Sequence, residues 1–182
     1  MQMVLEIVNQ HQEDLAQAVI RELRPRAVGI QPNFDAQLPP AATLCWLPAV
    51  MAPVDELVNG LVSYVDQSPV PSQKLVVLTA AGICGDLTSE QEQQLYGKHY
   101  EDVIYAHQYA VKMIDELELP YTAVRVPEVI PEKTKAAVTA EGEPLAGLQV
   151  GRQQLASLLA TAMTTDRYVN QSIGLGGQKN DN

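Results

Sequence analysis

The chain has 182 residues, and its 22 acidic against 12 basic side chains give a net charge of −10. This balance argues against a nucleic-acid-binding protein, because phosphate backbones are bound by clustered lysine and arginine. The length suits one domain rather than two, so we expect a single domain over residues 1–175 and a flexible tail over 176–182.

The cysteine content and the hydropathy of the chain indicate the compartment in which the protein works. Cys45 and Cys84 are the only cysteines, and the sequence contains neither a CxxC motif nor a cluster of cysteine and histidine. We therefore predict free thiols, no metal site and a reducing compartment. Neither a signal peptide nor an apolar stretch of membrane-spanning length is visible, so we expect a cytoplasmic protein that binds no membrane.

Short apolar runs alternate with segments of helical periodicity along the whole chain. This alternation predicts an α/β fold with a mainly parallel sheet and helices on both faces. A capping-box pattern at Ser89 and Glu92 predicts the start of the long third helix, which we expect in one or two pieces. In chain order the predicted elements are strand 3–8, helix 13–23, strand 26–30, strand 43–47, helix 54–65, strand 74–80, helix 89–117, strand 121–126, edge strand 135–139, helix 152–163 and strand 172–175.

Residues 9–14, with the sequence Asn-Gln-His-Gln-Glu-Asp, join the first strand to the first helix. A dinucleotide-binding fold has glycines at this turn, so that the backbone can approach a pyrophosphate at the helix N-terminus. Here no glycine is present, and Glu13 and Asp14 occupy the first helical turn, where a pyrophosphate would meet like charge. By position alone, Asn9 and His11 are candidate cofactor contacts, although a solvated loop histidine is the alternative for His11.

Three stretches carry a family resemblance: KLVVLTAAGI at 74–83, LPYTAVRV at 119–126 and EGEPLAGLQVGRQQLASLL at 141–159. Together they resemble the atypical short-chain dehydrogenases/reductases, the NmrA-like NAD(P)H-binding proteins that include NADH-flavin reductases and sugar-epimerase relatives. The resemblance implies a Rossmann-like, doubly wound sheet and an NAD(P) cofactor. The segment 31–43 is too short for the strand-helix unit found there in the family, so we expect a sheet shortened at one edge.

Members of this family that reduce carbonyls use a Tyr-x-x-x-Lys pair, in which the lysine lowers the pKa of the phenol. None of the seven tyrosines has a lysine four residues later. The remaining catalytic candidates are Thr79, where the family often has a serine, and His107 in the long helix. The alternatives are an ordinary β-branched strand residue for Thr79 and a helix-surface or interface residue for His107.

The resemblance suggests two further cofactor contacts by position. Asn33 follows the second predicted strand, where the ribose is usually recognised, and Gly82 follows the central strand. Arg125 lies inside a predicted core strand, so we expect it to form a structural ion pair with a carboxylate.

Two functions remain open from the sequence: an NAD(P)H-dependent oxidoreductase, or a non-catalytic NmrA-like regulatory or interaction module that has lost cofactor binding. The resemblance also implies a homodimer formed through the two long helices. Four tyrosines recur at roughly four-residue spacing and are predicted to share one helix face. They are Tyr96, Tyr100, Tyr105 and Tyr109. The alternative is a monomer in which these rings cover the seam between helix and sheet.

Overall fold

The computed structural model describes residues 3–179. Its elements in chain order are β1 (Leu5–Val8), α1 (Glu13–Leu23), β2 (Val28–Gln31), β3 (Thr43–Trp46), α2 (Val54–Asp66), β4 (Lys74–Ala80), α3 (Ser89–Tyr96), α4 (Tyr100–Asp115), β5 (Tyr121–Val126), β6 (Glu128–Ile130), β7 (Ala137–Thr139), β8 (Gln149–Gly151), α5 (Arg152–Thr164) and β9 (Gln171–Gly176).

Seven strands form one sheet in the order β2-β1-β3-β4-β5-β9-β7. All neighbours are parallel except β7, which pairs antiparallel with β9 at the edge, and β6 and β8 form a separate parallel pair. The chain moves outward from β1 to β2 and then returns to the other side of β1 as β3. This reversal makes the sheet doubly wound, and the predicted Rossmann-like fold is confirmed.

The core has two layers, one on each face of the sheet. Leu5 and Ile7 of β1 pack in the layer covered by α1 and α5, whereas Val8 packs in the layer covered by α2 and α4. This division follows from the strand geometry, because successive side chains point to opposite faces. In β4, all seven residues are buried, as expected for a strand covered by helices on both faces.

The sheet is shortened on the side of β2, as the sequence predicts. β2 is the edge strand, and residues 32–42 return to β3 without a helix or strand. Two side chains of this loop replace part of the missing layer. Leu38 is 1% exposed. The ring centroid of Phe34 lies 5.8 Å from that of Trp46 and 5.5 Å from that of Tyr64.

The long predicted helix is two helices separated at Gly97, whose φ of +81° ends α3. The capping box that begins α3 is formed by Thr88 and Gln91, one residue before the predicted pair. Thr88 accepts a hydrogen bond from the Gln91 amide at 3.3 Å and donates its own amide to the Gln91 side chain at 2.9 Å. Both pairs have the required residue types and spacing, so the sequence alone could not separate them.

The prediction that regular structure ends before Gly176 is wrong. β9 includes Gly176, and the next residues form isolated bridges, Gly177 with Gln149 and Lys179 with Thr134. Gly177 permits a close approach of two backbones, since a Cβ there would lie 2.4 Å from the carbonyl of Lys135. The glycines therefore reflect tight packing, and residues 180–182 lie outside the described residues.

The predicted structural role of Arg125 is confirmed. Its guanidinium is fully buried and pairs through Nη1 with the equally buried Asp86. Its Nε donates to the Ser172 hydroxyl at 3.0 Å, and Nη2 donates to the Ala140 carbonyl at 3.1 Å. One side chain of β5 thus joins the loop after β4 to β9 and to the segment after β7.

None of the helices within residues 3–179 is long and apolar enough to cross a membrane.

Candidate functional site

A cleft of about 1080 Å³ opens at the carboxyl ends of the parallel strands. It lies beside the point where β1 leads to β2 on one side and β3 pairs on the other, the usual ligand site of a doubly wound sheet. Helix α3 covers one side of it. The other walls are formed by residues 11–15, 50–51, 126–129, 145–149, 152 and 177–179.

The loop between β1 and α1 keeps a left-handed turn without glycine. Gln10 and His11 have φ values of 45° and 69°. The Asn9 amide donates to the carbonyl of Gln31, the last residue of β2, at 2.9 Å, and the Gln10 amide donates to the carbonyl of the next residue, Pro32, at 3.2 Å. The His11 amide donates to the Asn9 side chain at 3.3 Å, and the Gln12 amide donates to the Asn9 carbonyl at 2.7 Å. All four amides therefore bond within the protein and are not directed at a ligand.

The first turn of α1 brings negative charge to the cleft. Glu13 and Asp14 both line it, and Arg152 at the start of the neighbouring helix α5 lines it as well. The Nη2 atom of Arg152 lies 3.8 Å from Oδ2 of Asp14, which is 84% exposed. Such an exposed ion pair contributes little to stability, so Arg152 is one residue of the cleft that could hold an anionic ligand.

The two catalytic candidates contact each other behind the cleft. Thr79 Oγ1 lies 3.0 Å from Nδ1 of His107, and the Ala80 amide donates to the same nitrogen at 3.3 Å. Nε2 of His107 lies 2.8 Å from the Val50 carbonyl oxygen. Burial lowers the pKa of His107, which favours the neutral ring. Neither Thr79 nor His107 lines the cleft, so neither side chain has direct access to a ligand bound there. Their catalytic role stays a prediction.

The four predicted cofactor contacts do not converge. His11 lines the cleft, whereas the Asn9 side chain accepts the internal hydrogen bond of the loop. Asn33 accepts from the amide of Asp35 at 3.1 Å in an exposed turn away from the cleft. Gly82, with φ of +101°, donates its amide to Asp86 at 2.8 Å and so supports the buried ion pair. Their contacts with a cofactor remain predictions by position.

Two residues line the cleft although the sequence does not indicate a place for them there. Arg152 reaches the first turn of α1 only because α5 packs beside α1 in the folded chain. Tyr96 is buried at the end of α3 and donates its hydroxyl to the Ala81 carbonyl at 2.8 Å. Burial raises the pKa of Tyr96, so this hydroxyl stays protonated.

Across residues 3–179, no group of three histidine, cysteine or acidic side chains could hold a metal ion.

The sheet order and the cleft define a doubly wound α/β protein with an open cleft at its topological switch point. The sequence model of the NAD(P)H-binding family matches residues 54–166, which is more than half of the chain. The chain therefore belongs to the NAD(P)H-binding family and has the fold of the short-chain dehydrogenases/reductases. A search of curated proteins gives no match.

Solved structures share this fold at low sequence identity. A short-chain dehydrogenase/reductase from Veillonella parvula in complex with NADP aligns over 97% of this chain and 95% of its own, with a TM-score of 0.68 and 16% identity. ChuY from Escherichia coli O157:H7, an anaerobilin reductase, aligns over 100% of this chain and 87% of its own, with a TM-score of 0.64 and 14% identity. An epimerase-like protein from Bacteroides thetaiotaomicron covers 100% of both chains, with a TM-score of 0.72 and 8% identity.

Proposed function

We propose that the chain is an NAD(P)H-dependent oxidoreductase that binds its cofactor and an electron acceptor in the cleft at the carboxyl ends of the strands. The observation that carries this proposal is the position of the open cleft at the switch point, in a member of an NAD(P)H-binding family. When bound, the nicotinamide supplies a hydride, and the protein positions it against the acceptor. The family match supports this function over a module that has lost cofactor binding.

The cleft fits a nicotinamide dinucleotide in its place and size, but the β1–α1 loop does not offer the usual phosphate cradle. The amides of residues 9–12 already have acceptors within the protein. Arg152 forms an ion pair with Asp14 in the first turn of α1, so its guanidinium lies beside this turn. We therefore place the diphosphate beside Arg152, which would exchange Asp14 for a phosphate oxygen.

The side chains of the cleft favour an acceptor that needs no proton from a tyrosine. Reduction of an aldehyde or ketone forms an alkoxide, which requires a positioned acid. Tyr96 is the tyrosine that lines the described cleft, and its hydroxyl already donates to Ala81. A flavin or quinone fits better, because its rings delocalise the charge after hydride transfer. Water entering the open cleft can then supply the proton, leaving NAD(P)⁺ and the reduced acceptor.

Isothermal titration calorimetry with NADPH, NADH, NADP, NAD and FMN tests the proposal. Saturable binding of a nicotinamide dinucleotide in the micromolar range is expected, followed by NADPH or NADH oxidation when FMN or a quinone is added. A folded sample that gives no heat with any of these compounds would contradict the proposal and favour the non-catalytic module.

Replacing Arg152 with glutamine should weaken NADPH binding by roughly tenfold to a hundredfold, because a charge-assisted hydrogen bond to phosphate is lost. Calorimetry measures the dissociation constant directly. The matched control is Arg21→Gln, which removes the same charge from the last turn of α1, at the end opposite to the cleft. An unchanged affinity in Arg152→Gln would place the diphosphate elsewhere.

We also propose that two copies of the chain associate through α2 and α4. Tyr105 and Tyr109 of α4 are 64% and 45% exposed, and with Asp55 of α2 they line a shallow depression. Exposed tyrosines side by side are typical of interface surfaces. The prediction that Tyr96 shares this face is wrong, because Tyr96 belongs to α3 and is buried. Tyr100 begins α4 and is partly buried.

Replacing Tyr105 with glutamate should convert a dimer into a monomer, because it would bury a charge at the centre of the proposed contact. Light scattering measures the mass in solution. Gln17→Glu on the exposed side of α1 introduces the same charge on the opposite face of the sheet and should leave the dimer intact. A wild-type monomer, or a dimer that Tyr105→Glu does not dissociate, would remove this interface.

We further propose that the protein works in the reducing cytoplasm. The support is the free thiol state of Cys45 and Cys84. Quantifying thiols in protein alkylated inside intact cells tests this, and finding Cys84 oxidised there would contradict it.

A further inference from the structure

His107 joins three separate parts of the structure through one buried ring. It belongs to α4 and is 1% exposed. Its Nδ1 atom contacts Thr79 and Ala80 at the end of β4, and its Nε2 atom contacts the carbonyl of Val50. Val50 and Met51 in turn form one wall of the cleft.

The partners fix the tautomer of the ring. A carbonyl oxygen can only accept, so Nε2 carries the hydrogen and donates it to Val50 at 2.8 Å. Nδ1 is then the acceptor for the Thr79 hydroxyl at 3.0 Å and the Ala80 amide at 3.3 Å. Every polar atom of the ring is thereby satisfied. An imidazole bonded in this way has no free nitrogen for proton transfer, but it does fix the distance between β4 and the cleft wall.

The wall that His107 contacts is also held by hydrogen bonds of the preceding residues and by the apolar packing of Val50. The Leu47 amide donates to the Val8 carbonyl at 3.0 Å, and the Gln12 side chain donates to the Pro48 carbonyl at 3.4 Å. The Ala52 amide donates to the Ala49 carbonyl at 3.0 Å, which closes a turn around Val50 and Met51, and Val50 packs against the apolar cluster that contains Ile83 and Ile104. Among the described residues, the His107 ring adds the hydrogen bond that joins the Val50 carbonyl to α4. Met51 is 64% exposed at the rim, so its placement depends on the backbone at Val50.

We propose that His107 is a positioning residue: through its Nε2–H bond to the Val50 carbonyl, it holds the wall formed by Val50 and Met51 where this wall contacts the bound nicotinamide cofactor. The proposal deepens the proposed function and rests on it. The proposed effect is one of position, because a ligand site loses affinity when one of its walls moves away from the ligand by a fraction of an ångström. His107 itself touches neither cofactor nor acceptor.

Two substitutions separate the two sides of the ring. Glutamine places an amide nitrogen near the position of Nε2, so His107→Gln retains the donor to Val50. Asparagine places an amide oxygen near the position of Nδ1, so His107→Asn retains the acceptor for Thr79 and Ala80 but loses the contact with Val50. Both variants lose one side of the network, so they control for each other in stability.

The first measurement is the NADPH dissociation constant by calorimetry. His107→Asn should raise it at least roughly tenfold, whereas His107→Gln should stay within about threefold of the wild type. Equal losses in both variants would overturn the proposal and leave His107 as an ordinary core residue. Wild-type protein that binds no nicotinamide dinucleotide would refute the proposed function, and this result is seen before either variant is compared.

A second measurement does not depend on the cofactor. Hydrogen exchange of the Ala52 and Val54 amides, which donate to the carbonyls of Ala49 and Ala52, should be roughly tenfold faster in His107→Asn than in the wild type and nearly unchanged in His107→Gln. Equal exchange in the two variants would show that the Val50 contact does not hold the wall. The inference would then be wrong even if NADPH binds.

Discussion

Replacing Asp86 with alanine should lower the free energy of unfolding by about 3–5 kcal/mol, because the partner guanidinium would remain buried without a counter-charge. Both side chains of the Asp86–Arg125 pair are 0% exposed. Asp86 also accepts the Gly82 amide at 2.8 Å, so the substitution leaves a second buried donor unpaired. Urea denaturation followed by circular dichroism measures the loss.

A surface ion pair provides the control for Asp86. The Lys112 ammonium lies 3.8 Å from the Glu116 carboxylate, and both side chains are mostly exposed. Glu116→Ala should therefore change stability by about 0.5 kcal/mol or less. In the double variant Asp86→Ala with Arg125→Met, at least about 1 kcal/mol should be recovered, because no buried charge remains. A loss below about 1 kcal/mol in Asp86→Ala alone would contradict the burial of this pair.

Replacing Leu38 with alanine should cost about 2–5 kcal/mol, as much as a leucine removed from a core helix. Leu38 belongs to the irregular segment 32–42, yet it is 1% exposed and packs in the layer that contains α2 and α4. In this layer it covers part of the sheet that a strand-helix unit covers in the related fold. Denaturation of Leu38→Ala beside the core variant Leu61→Ala measures whether loop and helix contribute equally.

The neighbouring residue Gln37 is exposed and supplies the matched control for Leu38. Gln37→Ala changes the same loop without removing buried surface, so its stability should stay within about 0.5 kcal/mol of the wild type. If Leu38→Ala were as mild as Gln37→Ala, the loop would not replace the missing layer.

Most of the sheet could be predicted from the sequence because its signals are local. Apolar runs such as residues 74–80 mark strands buried on both faces, and helical periodicity marks the helices between them. The shortened edge could also be predicted, since residues 31–43 offer too little chain for a strand, a crossover helix and their turns. The short strands β6 and β8 were missed, because three residues are too few to show a period.

The site was harder to predict because it depends on long-range contacts. Thr79 and His107 were each identified as candidates, but their contact across 28 residues of sequence is set by the packing of α4 on β4. The approach of Arg152 to Asp14 likewise requires α1 and α5 to pack side by side. The buried partner of Arg125 could be predicted as a carboxylate, although its identity as Asp86 could not.

The amides of residues 9–12 are bonded within the protein, so they do not determine which ligand the cleft binds. A phosphate cradle made of backbone amides depends on the glycines that let the main chain approach the ligand, because its donors are the same in every residue except proline. A site that relies on the Arg152 side chain can be gained, lost or altered by one change in α5 while residues 9–12 stay constant. Relatives with the same turn after β1 can therefore diverge in the ligand they bind, and the turn is a poor guide to that ligand.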